Sequence, residues 1–370
     1  MQNDAESRLE RLLDYLGQDS ANAVLAAECA EAALAANRIA LAGEILAPFA
    51  QRGALDDHGL SVAGIAAMRG GDQAGAQTHF AALLERSSDD PGLRFNMAWS
   101  QALAGDHRAA RDTLGDVSNT ALPQAAMLDL QIHHHLGEFD EAEAKIPLYL
   151  ARFPDYVPLN AAVALLAMDM DRPDLARAAA ERGGDHPDAL AAKATFELGD
   201  NRYEEARALF ERSLETRPQN PRANVGLGLV DLATGRSAQA LGHLDRGAEQ
   251  FGDHLGAWLA AGWAHFLAGD AETARARFET ALAKDDTFGE AQGSLAAMDA
   301  LAGNFAGAAE RLEIAQRFDR GPFWVVFTAM ILAAADGDRD KAQRIFEIAS
   351  RQPLGPDGKT LAEALAQIAL

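Results

Sequence analysis

The sequence predicts an all-α solenoid of about ten helical hairpins, and three recurring positions predict it. The first is an alanine that returns at intervals of about 34 residues. It falls at Ala42, Ala76, Ala110, Ala142, Ala176, Ala206, Ala240, Ala274, Ala308 and Ala342. The second lies five positions before each alanine: Asn37, Gly71, Gly105, Gly137, Asp171, Asn201, Gly235, Gly269, Gly303 and Gly337. These residue types tolerate a left-handed backbone, which a helix stop inside a hairpin requires. The third lies four positions after the alanine and is bulky and apolar, as at Leu46, Phe80, Leu114, Ile146, Phe210, Leu244, Phe278, Leu312 and Phe346. Only the fifth copy departs from this, with Ala180.

Residues 187–220 serve as the template: a helix, a tight turn at Gly199–Asn201, a second helix and a proline stop at Pro218. Small or apolar residues of the first helix, such as Ala194, Gly228 and Gly262, recur upstream of the alanine. Small side chains there let the paired helices approach, and the bulky residue then fills the space between units. A larger residue at Ala206 or Ala274 would force the helices apart, at about 1–3 kcal/mol.

In chain order, residues 5–16 place Leu9, Leu12, Leu13 and Leu16 on one helical face. This helix has the register of a second helix without its first, and it is expected to cap the open side of the first unit. The segment 1–22 is therefore set apart. Units begin at Ala23, Asp57, Pro91, Pro123, Val157, Pro187, Pro221, Leu255, Gly289 and Phe323. Proline suits these starts because its missing N–H would be unpaired there anyway. The third unit is short and meets Gly115 in its second helix; the fifth is shorter still and ends at Gly183–Gly184. Losing about one helical turn preserves the buried face but shortens the ridge. We therefore expect a seam there, dividing units 23–186 from units 187–356. After Pro353 a last helix over residues 357–370, with Leu361, Leu365 and Ile368, is expected to cap the other end.

The period and the small–turn–alanine–bulky spacing resemble the tetratricopeptide repeat. The resemblance covers residues 23–356 and implies a right-handed superhelical solenoid whose first helices line a concave wall. It implies an architecture and not an activity. Carried across by register, the wall receives Phe95, Asn96, Trp99 and Leu103 from repeat three, and Met127, Gln131, His134 and His135 from repeat four. Leu165 and Met168 come from repeat five, and Arg222, Val225, Leu229 and Leu232 from repeat seven. Leu259, Trp263 and Phe266 come from repeat eight, and Trp324, Phe327 and Ile331 from repeat ten. Members that grip acidic tails use asparagine with lysine or arginine on this wall. Here Asn96 is the only matching asparagine, and Arg69 and Arg222 stand alone, so the carboxylate clamp is not expected. An apolar, aromatic wall suits a peptide or amphipathic helix instead. The resemblance implies a scaffold or adaptor of the bacterial kind used in secretion, envelope or surface-structure assembly. A self-assembling structural protein and a non-catalytic enzyme subunit are the alternatives.

The formal charge is −22, with 28 acidic and 14 basic groups in residues 1–186 against 27 and 19 beyond. That balance disfavours nucleic acid and anionic lipid and favours neutral or basic partners. The same charge also serves solubility alone. The single cysteine, Cys29, falls at a core position and reads as a buried, inert thiol. Residues 1–17 lack a basic start followed by an apolar run, and no stretch is apolar enough for a bilayer, so a cytoplasmic or trimmed exported protein is expected.

No catalytic constellation, metal site or cofactor motif is expected. Consecutive helical residues diverge by about 100°, so His133, His134 and His135 cannot converge on a metal; they offer pH sensitivity. His133 should face the core. Gly226-Leu227-Gly228 lies mid-helix after no strand, and helix packing explains it better than a phosphate loop. Asp285-Asp286 read as solvated loop carboxylates.

Overall fold

A computed structural model describes residues 2–318 and 323–351. Those residues form 21 helices, and every ordered element among them is helical. The chain divides into two compact units at residues 192/193, inside the helix that begins at Pro187.

The first unit opens with α1 (Gln2–Gln18). Five hairpins follow: α2 and α3 (Ala23–Ala35, Ile39–Gln51), α4 and α5 (Asp57–Arg69, Gln73–Leu84), α6 and α7 (Pro91–Leu103, His107–Ala121), α8 and α9 (Pro123–Leu136, Phe139–Arg152), α10 and α11 (Val157–Asp169, Pro173–Arg182). In α1, Leu9 is buried, and Leu12, Leu13 and Leu16 lie against the core of α2 and α3, so the helix covers that end. Cys29 is buried in α2, where burial, then the Glu28 carboxylate, pushes its thiol pKa up.

The second unit holds most of α12 (Pro187–Gly199) and then α13 (Tyr203–Thr216), α14 (Pro221–Ala233), α15 (Ser237–Phe251), α16 (Leu255–Leu267) and α17 (Ala271–Lys284). It continues through α18 (Gly289–Leu301), α19 (Phe305–Phe318), α20 (Phe323–Ala335) and α21 (Arg339–Arg351). The C-terminal cap expected over 357–370 lies outside the described residues.

All ten unit starts expected from the sequence are first residues of helices. All ten turn residues, from Asn37 (φ 58°) to Gly337 (φ 82°), adopt the left-handed conformation. Each allows the next residue's N–H to reach back to a carbonyl of the preceding helix, as Arg38 does to Ala33 (2.7 Å) and Asn304 to Asp299 (2.8 Å). That bond satisfies a carbonyl the helix end would otherwise leave unpaired, and it fixes the hairpin angle.

The recurring alanines from Ala42 to Ala308 are 0% exposed. Side-chain volume is traded across each hairpin. A Cβ added at Gly64 would lie 2.5 Å from the Phe80 ring, and one at Gly262 would lie 2.3 Å from Phe278. Gly226 faces Phe210 and Gly228 faces Leu244 in the same way, so the mid-helix glycines of α14 exist for packing.

The short units show where their residues are lost. Gly115 (φ 61°, ψ 168°) breaks α7, and Arg94 donates to the freed Thr113 carbonyl at 3.1 Å. In the fifth unit α11 has only 10 residues, and Gly183 lies so near Ala189 that an added Cβ would come within 2.6 Å.

Candidate functional site

In the first unit the exposed apolar side chains of α6 are Trp99 (41%) and Leu103 (54%), one turn apart on the same face. Phe95, expected beside them on the wall, is only 7% exposed. It has sunk into the core against Leu128 and Ile132, and its ring backs Trp99 at 5.3 Å between centroids. The tryptophan is thus a rigid apolar plate held at the surface by a buried ring. Asn96 is half-buried on the same helix.

Beyond α6, Met127, Leu165 and Met168 are half-buried against the core of α8–α11, so they offer edges rather than whole side chains. Gln131 is exposed. His134 Nε2 meets Asp169 Oδ2 at 2.9 Å, which ties α8 to the end of α10. His135 stacks on His107 at 4.5 Å. Burial, then His107 and His134, lowers the His135 pKa below its ordinary value.

His133 does face the core, at 4% exposure, and belongs to a polar cluster the sequence did not reveal. Asp129, also buried, accepts from the Lys145 ammonium (2.8 Å) and the Tyr149 hydroxyl (2.7 Å). Lys145 Nζ also lies 2.9 Å from His133 Nε2. An ammonium there can only donate, so His133 carries its proton on Nδ1 and donates it to Glu138 (2.7 Å). Arg111 of α7 closes the group on Glu138. Burial, then the Asp129 carboxylate, pushes the Tyr149 phenol pKa far up. The cluster binds α7, α8 and α9 together, with each charge matched inside it.

In the second unit Leu259 is 7% exposed and, like Phe95, is a core residue rather than a wall residue. The reason is the same in both: each helix turns this side chain toward the neighbouring hairpin, where apolar area is removed from water. Trp263 is half-buried. Its indole N–H donates to Ser294 Oγ of α18 at 3.1 Å, and its ring lies 5.2 Å from Phe278 and 5.4 Å from Phe266. It therefore fastens two repeats together as well as showing an edge. Phe266 is half-buried beside it. Val225 is half-buried, Leu229 is 36% exposed, and the Arg222 guanidinium stands 6.0 Å from the Phe251 ring. Phe327 and Ile331 of α20 are half-buried; the Trp324 side chain lies outside the described residues.

Sequence reasoning missed an open groove of about 680 Å³ between α17 and α18, floored by Phe266, Met298 and Leu301 and flanked by Glu272 and Glu279. The signal lies in the repeat register, where the second helix carries Glu272 and Glu279 at the positions that hold Ala40 and Ala47 in the first unit.

Among the described residues no helix is long and apolar enough to cross a membrane. Two tetratricopeptide repeat profiles match, over residues 162–221 and 197–262. No curated protein sequence matches the chain. Among solved structures, a human IFIT1 dimer with PPP-AAAA aligns over 94% of each chain, with a TM-score of 0.56 at 13% identity. A monomeric IFIT1 mutant with Gppp-AAAA aligns over 94% of this chain and 95% of its own, with the same score and identity. At that identity the likeness is one of fold. With its profile matches, its ten left-handed hairpin turns and its buried alanine series, the chain is a protein of the tetratricopeptide-repeat superfamily.

Proposed function

We infer that this protein is a non-catalytic interaction scaffold that holds an apolar or amphipathic segment of another protein on the first-helix surface of its repeats. The carrying observation is the Trp99–Leu103 face. A large aromatic ring, 41% exposed, is backed by Phe95 and has an exposed leucine one turn on. Tryptophan anchors of this kind dominate interface energies, at about 2 kcal/mol or more each. Trp263 and Phe266 are a weaker anchor in the same class, because part of their area is already committed to Ser294 and Phe278.

RNA named with the IFIT1 structures does not carry over on the charge of this chain. A net −22 repels a polyphosphate, where nucleic-acid binding draws its affinity from lysine and arginine.

The test is affinity capture from the native cell with the wild-type chain and a Trp99→Ala/Leu103→Ala variant of unchanged circular dichroism. Loss of a wild-type partner from the folded variant supports the reading. Full retention of every partner overturns it for this face. In parallel, a 5′-triphosphate oligoadenylate followed by fluorescence anisotropy should show no saturable binding; saturable binding would replace the protein reading with an RNA one.

A further inference from the structure

The groove between α17 and α18 differs from its counterpart in the first unit in a way that points to an occupant. At the junction of α3 and α4 the register equivalent of Leu301 is Arg69. That guanidinium donates to the Leu34 carbonyl (3.2 Å) and to Asn37 Oδ1 (3.0 Å), laying a polar strap over the groove. At the α17–α18 junction the strap is absent, and Leu301 is 50% exposed beside Phe266 and Met298. The rim changes as well. The equivalents of Ala40 and Ala47 are Glu272 and Glu279, both exposed. Arg275 stands between those two glutamates on the same helix, yet its guanidinium is taken by Asp299, and among the described residues neither glutamate has an ion-pair partner.

We propose that this groove binds a helical segment of a partner protein with basic residues seven apart and leucine-like residues between them. The geometry selects a helix. Glu272 and Glu279 are two turns apart on α17, about 10.5 Å along its axis. A helix lying alongside presents residues i and i+7 to them and residues i+3 and i+4 to the apolar floor. An extended segment would span that distance in about three residues, and its side chains alternate faces, so its two basic groups would point to opposite sides. The charge selects the sign, because two unpaired carboxylates flanking an apolar floor reject an acidic segment. This site lies on the second unit and does not depend on the Trp99 face.

The probe is a synthetic helical peptide with lysines seven apart and leucines at the third and fourth positions between them. Its twin carries glutamates in place of the lysines. Labelled peptides are titrated with the full chain and followed by anisotropy, with zero-length carbodiimide crosslinking to map the contact. The lysine peptide is expected to bind at least tenfold tighter than its twin and to crosslink to Glu272 and Glu279. Glu272→Gln/Glu279→Gln, two surface changes with no packing role, should weaken it about tenfold. Leu301→Asp should weaken it at least as much. The proposal fails if the lysine peptide does not bind, if the glutamine pair binds it within twofold of wild type, or if the crosslinks fall on other carboxylates. It also fails if sedimentation shows a dimer that Leu301→Asp dissociates, since the groove would then hold a second copy of the chain.

Discussion

Gly226 and Gly242 sit on the two helices of one hairpin, and the same substitution should move stability in opposite directions at the two sites. Both lie inside helices, α14 and α15, so replacing glycine by alanine raises helix preference at each by about 1 kcal/mol. The surroundings decide the sign. An added Cβ at Gly242 meets nothing within 4 Å, whereas one at Gly226 would lie 2.0 Å from Phe210 Cζ and 2.5 Å from both ring Cε atoms. Ordinary contact begins near 3.4 Å, so the ring or the helix must retreat by about 1.4 Å. Phe210 is 0% exposed and has no solvent to retreat into. Overpacking on that scale costs about 3 kcal/mol, and the helix term returns about 1, leaving Gly226→Ala destabilising by about 2 kcal/mol. Gly242→Ala should stabilise by up to about 1 kcal/mol. Repeat arrays unfold piecewise, so the assay is hydrogen exchange resolved by helix, not one midpoint for the whole chain. Protection in α13 and α14 should fall for Gly226→Ala, and Phe210→Leu should recover part of it. Unchanged protection in Gly226→Ala, or a loss in Gly242→Ala of similar size, would refute the volume-matching argument.

Two further outcomes follow from the first unit. We propose the shortened α11 as a seam; limited proteolysis should then cut first near Gly183–Gly184, and cleavage confined to the termini would argue against it. His135 bears on pH. Its folded pKa lies below the ordinary 6.5, chiefly through burial, and then through His107 on α7 and His134, itself paired with Asp169 of α10. A depressed histidine pKa means the unfolded chain takes up its proton first. This contribution to stability is complete above pH 6.5 and declines as pH falls from there toward the lowered value. His135→Gln should therefore lose less stability than wild type between pH 7 and 5, and NMR titration should place the His135 midpoint below 6.5. A midpoint at or above 6.5 would remove the basis for this dependence.

The fold was legible because its rules are local and repeated. A left-handed residue, a buried alanine and a bulky partner recur with fixed offsets, and the backbone turn enforces them whatever the neighbouring side chains are. The candidate site was legible only to the level of a helix face. Register put Phe95 and Trp99 on one surface, but which of the two sinks and which stays out depends on rotamers and on the adjoining hairpin. The Asp129 cluster was hidden for a related reason. An acidic residue in an amphipathic helix reads as solvated, and its true partners, Lys145 and Tyr149, belong to the next helix.

Stacking order within the second unit raises a problem that the alanine series cannot solve, because every repeat presents nearly the same apolar stripe and would fit any neighbour. The buried charges break that degeneracy. Between α13 and α14 the second helix supplies the cation, as Arg207 meets Asp231. Between α15 and α16 it supplies the anion, as Asp245 meets His265 at 2.9 Å. Between α17 and α18 the cation returns, as Arg275 meets Asp299. The polarity alternates, so a stack slipped by one repeat would face Arg207 with His265 and Asp245 with Asp299. Asp231, whose side chain is 1% exposed, would then lose Arg207 and keep only the Arg236 guanidinium of its own hairpin (3.1 Å), while Asp245 would meet a like charge. A correctly paired buried ion pair adds little net stability, whereas setting like charges face to face at a wrong junction is strongly unfavourable. The ladder therefore acts mainly against wrong neighbours, and it leaves the shared alanine packing to hold the right ones.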